Sequence, residues 1–195
     1  VNPTDDPRPL LARSFEQSVR LVGAVRSEDL GRPTPCTDFD VRALLAHLTF
    51  AAERIGAAGR RDTLPTEAPD PGSVADDGWP ERFGRAAEAA LAAWAPDAAL
   101  EGEIDLPFGT FPAPVVAAIY AQEQVTHGWD LAAATGQLDR LDPSLAEAIL
   151  PLVQQFVPAD VRGGEMPFGA VVEVPADAGP YARLAGYLGR DPEAA

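Results

Sequence analysis

The chain has 195 residues, with 30 Asp and Glu against 15 basic residues, all of them arginine, and a formal net charge of −15. That length suits one domain with a real core and at most a small appendage, and so acidic a surface repels nucleic acid and anionic lipid. The absence of lysine excludes Schiff-base and pyridoxal-phosphate chemistry and phosphate loops of the GxxxxGK[ST] type, while the single Cys36 excludes an intrachain disulfide, a CxxC pair and a cysteine-rich zinc knuckle.

The N-terminal "VNPTDDPRPLL" has no basic stretch leading into an apolar one, and no run approaches the roughly 18 apolar residues of a membrane span. A cytoplasmic protein without membrane association is therefore expected. A first helix is expected from about Pro7 to Arg26, with Leu11, Phe15, Val19 and Val22 on one face and Gly31 and Pro33 as stops. In "TPCTDFDVRALLAHLTFAAERIG", Thr37 with Asp40 three residues later reads as the capping signal of a second helix. Its stripe is Leu44, Leu48, Ala51, Ala52 and Ile55, and His47 rides on it. Residues 61 to 80, rich in Pro, Gly and Asp, are expected to form a long surface loop or crossover.

A third helix carries Phe83, Ala87, Ala90, Leu91 and Trp94 and ends at Pro96. "EIDLPFGTFPAP" reads as a short extended excursion, and Pro112 or Pro114 opens a fourth helix running to Gly136. On that helix Val116, Ile119, Tyr120, Glu123, His127 and Ala134 fall within one arc at about 100° per residue. "DPSLAEAILPLVQQFV" suggests a further helix kinked at Pro151, "FGAVVEVP" a short strand, and "GPYARLAGYLG" a last small helix. Helical patterns separated by loops point to an all-α bundle with a minor C-terminal addition.

Glu123 and His127 are the chemical feature of this pattern. Residues four apart on a helix place their Cβ atoms about 5–6 Å apart, so the pair can share an ion, and His47 is placed to supply a third ligand in the manner of bundle cores. Spacing alone leaves a second reading open, because a helical histidine is more commonly just packed and hydrogen-bonded. Two details favour the ion. An unpaired carboxylate on a buried arc costs several kcal/mol unless something compensates it, and Gly128 costs about 1 kcal/mol relative to Ala inside a helix unless a backbone or ligand approaches closely. Asp130, one turn beyond His127, reads either as the group that orients that imidazole or as a solvent-facing or capping residue. Trp129, Trp94, Phe83 and Phe50 read as packing residues. Cys36 has no basic or histidine neighbour in sequence and reads as structural, and no Ser-His-Asp set is supported.

The segments "TPCTDFDVRALLAHL" and "EQVTHGWDLAAATGQ" resemble the DinB-like superfamily, and within it the actinobacterial branch related to the metal-binding domain of mycothiol-dependent maleylpyruvate isomerase. The likeness runs in order from the first helix through "ATGQ" and extends to "PFGAVVEVPADAGPYARLAGYLGRDP". In that family the histidine of the "AHL" helix and the E-x-x-x-H pair bind a divalent metal. The resemblance thus implies His47, Glu123 and His127 as ligands. Many members use three histidines, so Glu123 places this chain in a His-Glu-His subset with a more anionic site.

The resemblance also implies an all-α, DinB-like four-helix bundle with a long crossover loop and a small C-terminal strand/helix appendage. Residues 1–158 would be the metal-binding bundle and 159–195 an extension packed on it. The implied cofactors are zinc first, with nickel or another divalent ion as alternatives, and mycothiol as cosubstrate. The implied partners are a small thiol and an electrophilic substrate, with a homodimer as an open oligomeric state.

Three protein ligands on zinc leave a position open, where a thiol becomes a thiolate nucleophile, so a thiol-dependent transferase or isomerase is expected. Hydrolysis by a metal-activated water, with Asp130 as proton carrier, has no support in the sequence. The isomerase itself carries a further large C-terminal domain, so its own activity is not expected to carry over to a chain with so short a tail. The alternative of another class is a non-catalytic metal-binding or partner-binding regulatory module.

Overall fold

Four apolar periodic segments build one core. The computed structural model describes residues 6–159 and 168–193. Its long helices are α1 (Arg8–Val22), α2 (Val41–Arg60), α3 (Trp79–Trp94) and α4 (Ala113–Thr135), followed by α5 (Pro143–Phe156) and α6 (Pro180–Tyr187). α1 packs on α3 and α4, and α2 also packs on α3 and α4, which makes a four-helix bundle with α1 and α2 at opposite corners. No helix among the described residues is long and apolar enough to cross a membrane.

α1 is shorter than its pattern suggests and is turned differently. Leu11, Phe15, Leu21 and Val22 are buried, but Val19 is 41% exposed, and Ser14, Gln17 and Ser18 are buried in its place. The rotation has a cause in hydrogen bonding: Gln17 donates from Nε2 to the Tyr181 hydroxyl at 2.8 Å and accepts from the Asp142 backbone N–H at 2.7 Å. A buried amide with both ends satisfied is tolerated where an unpaired one is not.

α2 is capped by Asp40, whose Oδ1 accepts from the Ala43 N–H at 2.8 Å. Thr37 does not cap it, since it lies in the preceding turn and is exposed. α2 and α3 approach closely at Gly59, where a Cβ would come within 3.0 Å of Ala93 and Trp94, and the Trp94 indole donates to the Ile55 carbonyl at 2.8 Å. The loop after α2 ends at Gly78, with only a short 3-10 turn at Pro71–Ser73 within it, and tucks Leu64 and Val74 against the core.

The "EIDLPFGTFP" excursion is an antiparallel hairpin of β1 (Glu103–Leu106) and β2 (Gly109–Pro112), pairing Ile104 with Phe111 and Leu106 with Gly109. It leads straight into α4, whose first N–H, on Ala113, bonds the Gly102 carbonyl. α4 touches α1, α2, α5 and α6. α4 is covered by its neighbours on several sides, and Ala117, Ala121, Val125 and Leu131 are fully buried outside the expected arc. Within that arc Val116, Tyr120 and His127 are buried, while Ile119, Glu123 and Ala134 are partly buried.

α5 continues through Pro151, which sits on its exposed side. The expected strand at residues 168–175 is not one: the segment is irregular, and its Val172 N–H bonds the Gly186 carbonyl of α6 rather than a neighbouring strand. Main-chain groups need a ladder partner to make a strand, and the neighbour here is a helix end. The segment lies hard against two glycines: a Cβ at Gly186 would fall 2.7 Å from the Val172 carbonyl oxygen, and one at Gly189, where φ is +82°, 2.9 Å from Gly169. α6 itself is seated on α5 and α4 through Tyr181, Leu184 and Leu188.

Candidate metal centre

His47 leaves the middle of α2 toward α4, where Glu123 and His127 stand one turn apart. The His47 Nε2 lies 2.9 Å from Glu123 Oε1, and the His127 Nε2 lies 3.5 Å from the same oxygen. The two imidazoles meet edge to face, with ring centroids 4.6 Å apart. One donor atom from each of the three residues thus falls within 4.8 Å of the others. Two bonds of about 2.0–2.1 Å at a tetrahedral angle separate ligand atoms by roughly 3.3 Å, so this spacing fits a single small divalent ion with little movement. The group is reachable: the side chains of His47 and Glu123 are 27% and 30% exposed.

The far side of His127 is held separately. Its Nδ1 lies 2.9 Å from Asp130 Oδ2, and Asp130 is fully buried. The Asp130 carboxylate at Nδ1 fixes the ring's orientation and aims Nε2 toward Glu123 and His47. Asp130 in turn takes two bonds from Arg190, Nε to Oδ1 at 2.7 Å and Nη2 to Oδ2 at 2.8 Å. Sequence reasoning left Asp130 between two roles; the structure places it behind His127, away from solvent. Arg190, in the turn after α6, was missed altogether. The available signal was indirect, since an aspartate buried in a helix core requires a cation, and in this chain the only permanently charged side-chain cations are arginines.

Phe39 was also missed. It stacks on His47 with centroids 4.9 Å apart and an interplanar angle of 28°, and it stands edge-on to His127 at 6.4 Å. Its backbone is fixed by a turn in which its N–H bonds the Cys36 carbonyl at 2.9 Å, with the Thr34 hydroxyl 2.8 Å from its own carbonyl.

That turn brings Cys36 beside the cluster as well, so that its sulfur, a His127 nitrogen and an Asp130 oxygen also lie within 4.8 Å of one another. This second triad is the poorer donor set, because both Asp130 oxygens are already engaged by Arg190 and His127. Burial and the Asp130 charge push the Cys36 thiol up, against Arg190, and keep it protonated.

The carboxylates are held in the opposite direction. Burial alone would raise Glu123, but the neighbouring His127 and the hydrogen bond from His47, with Arg190 further away, outweigh it and hold Glu123 at about 2. Burial likewise opposes ionisation of Asp130, and the Arg190 and His127 hydrogen bonds overcome it. Both groups are therefore carboxylates at neutral pH.

Gly128, next to His127, faces α1 and not a ligand: a Cβ there would meet Gln17 and Leu21 at 3.6 Å, an ordinary contact distance. Trp94, Phe83 and Trp129 are core residues, while Phe50 is half-buried under the Arg54 guanidinium, 5.5 Å above its ring.

The sequence profile described as the mycothiol maleylpyruvate isomerase N-terminal domain matches residues 11–132, a span that takes in His47, Glu123, His127 and Asp130 but not Arg190. Uncharacterized protein Rv0738 of Mycobacterium tuberculosis H37Rv is 33% identical over 184 residues, covering 93% of this chain and 97% of that relative. Uncharacterized protein MT0763 of the CDC 1551 strain matches to the same extent. In three dimensions the chain is similar to the crystal structure of the mycothiol-dependent maleylpyruvate isomerase, with a TM-score of 0.53 at 16% identity over 64% of this chain and 59% of that one. A mutant of that isomerase superimposes with a TM-score of 0.54. The superposition establishes a shared fold and spans less than two thirds of the isomerase's length.

Proposed function

The chain belongs to the mycothiol maleylpyruvate isomerase N-terminal domain family, and from that premise we propose that it is a cytoplasmic metal-binding protein that performs thiol-dependent transfer or isomerisation on a small electrophile. His47, Glu123 and His127 hold the ion, zinc before nickel or another divalent metal, and mycothiol is the thiol. The observation that carries this reading is the convergence of two imidazole nitrogens and one carboxylate oxygen within 4.8 Å at a partly exposed place in an otherwise packed core. A zinc ion held there would supply Lewis acidity and lower the pKa of a bound thiol.

The protein's own residues prepare that place. Asp130 fixes the His127 proton on Nδ1 and so keeps Nε2 free to donate its lone pair. Glu123, ionised at neutral pH, would add one negative charge beside two imidazole ligands and so leave a divalent ion held there with net positive charge. Phe39 covers one face of His47 and limits water there.

The alternative is a metal-binding module without turnover, and one observation favours it: a cleft of about 350 Å³ lies between α2, α3 and the loop after α2, lined by Glu53, Gly56, Arg60 and Ala86 among others, and includes none of the three donors.

The test is calorimetric titration of zinc into metal-free wild type, His47→Ala and His127→Ala, followed by assay of the zinc-loaded wild type with mycothiol and electrophiles. One zinc per wild-type chain, with binding weakened a hundredfold or more in each variant, supports the metal site, whereas undiminished binding in both variants ends it. Zinc binding without any thiol-dependent turnover supports the module.

A further inference from the structure

The turn after α6 reaches the cluster through Arg190. Arg190 is 10% exposed and Asp130 is fully buried, and the guanidinium lies as a two-pronged fork on the carboxylate, Nε at 2.7 Å and Nη2 at 2.8 Å. Asp130 uses the same oxygen, Oδ2, to hold His127 Nδ1 at 2.9 Å. An unpaired buried carboxylate turns to whatever donor it can find or takes up a proton; with the fork in place, it is fixed in charge and in orientation.

The approach of Arg190 is itself built into the chain. Its backbone N–H bonds the Ala185 carbonyl at 3.0 Å, and the preceding Gly189 adopts φ +82° against Gly169, at a distance that a side chain could not share. Nε and Nη2 serve Asp130, and among the described residues Nη1 has a long 3.4 Å contact to the Leu188 carbonyl.

We propose that Arg190 is a positioning residue for His127: through Asp130 it fixes the imidazole that presents Nε2 to the ion, so that the residues after α5 set the metal affinity of a site whose ligands all lie on α2 and α4. This rests on the metal-site reading above. Hydrogen-bond partners behind a metal-bound histidine typically change metal affinity by about 10–100-fold, and an arginine fork orients a carboxylate as a lysine cannot.

The experiment is zinc affinity, measured by competition with a chromophoric chelator, for wild type, Arg190→Gln, Arg190→Lys, Asp130→Asn and the double variant Asp130→Asn/Arg190→Gln, each checked for a wild-type far-UV circular dichroism spectrum. Arg190→Gln leaves a buried carboxylate without its cation and is the variant at risk of unfolding; the double variant removes both charges and keeps the test alive. The expected result is affinity weakened about tenfold or more in Arg190→Gln, partly recovered in Arg190→Lys, and no weaker in the double variant than in Asp130→Asn alone, because the arginine acts only through the aspartate. The proposal is overturned if Arg190→Gln folds and binds zinc as wild type does, or if the double variant loses affinity well beyond Asp130→Asn. Failure of wild type to bind zinc would instead defeat the metal-site reading, and this inference with it.

Discussion

Helix α4 meets polar side chains on two of its sides, and the two sides use them differently. Toward α1 the amide of Gln17 is closed off, donating to Tyr181 and accepting from Asp142, with Gly128 and Leu21 packed beside it. Toward α2 the arrangement stays open. His127 is anchored at Nδ1, and its Nε2, the His47 Nε2 and the Glu123 Oε1 point at one another at a partly exposed place. A buried polar group bonded at both ends is a structural fastener. A cluster with lone pairs left over, reachable from solvent, is where a ligand fits.

This contrast makes ordered predictions. The largest concerns the open side, where Glu123→Gln should weaken zinc binding by about a hundredfold or more. A large stability loss with unchanged zinc affinity would mean that the two sides are alike. On the closed side the pattern reverses. Gln17→Leu strands the Tyr181 hydroxyl and the Asp142 N–H and should lower stability by about 2–4 kcal/mol in urea melts, with zinc affinity within twofold of wild type.

The closed side also has its own pH signature. Burial pushes the Tyr181 phenol up from its ordinary 10 to about 12, against the Gln17 hydrogen bond that lowers it. A phenol with a raised folded-state pKa stabilises the fold fully below pH 10 and loses that contribution as pH rises toward 12. Stability of wild type should therefore fall more steeply than that of Tyr181→Phe across this alkaline window, and parallel curves would show that the phenol is not held neutral by the fold. The smallest effect is expected at Gly128→Ala. The new methyl meets ordinary contacts and removes a helical glycine, so stability should rise by up to about 1 kcal/mol with zinc affinity unchanged.

Much of this was legible in the sequence, for reasons that differ between residues. The helices followed from apolar spacing, and the meeting of His47, Glu123 and His127 from helix periodicity together with the family resemblance, because side chains on regular helices inherit a predictable direction. Val19 misled because periodicity counts only apolar residues, and α1 turned instead toward the bonds available to Gln17. Thr37 misled because Asp40, three residues on, is the better placed acceptor. The segment at 168–175 is rich in valine, but a strand needs a strand beside it and this one lies on the end of α6. Arg190 and Cys36 could not be read because their partners are remote in the chain: Arg190 is 60 positions from Asp130, and Cys36 reaches His127 only through the turn that precedes α2.

The central claim is the identity of the donor set, and zinc K-edge X-ray absorption of the zinc-loaded protein tests it most directly. The account predicts a shell of nitrogen and oxygen neighbours at about 2.0–2.2 Å, with imidazole scattering for two histidines and no sulfur from the protein in the absence of added thiol. A zinc–sulfur distance of about 2.3 Å under those conditions would place the ion on Cys36, His127 and Asp130 instead, and would contradict the site built from His47, Glu123 and His127.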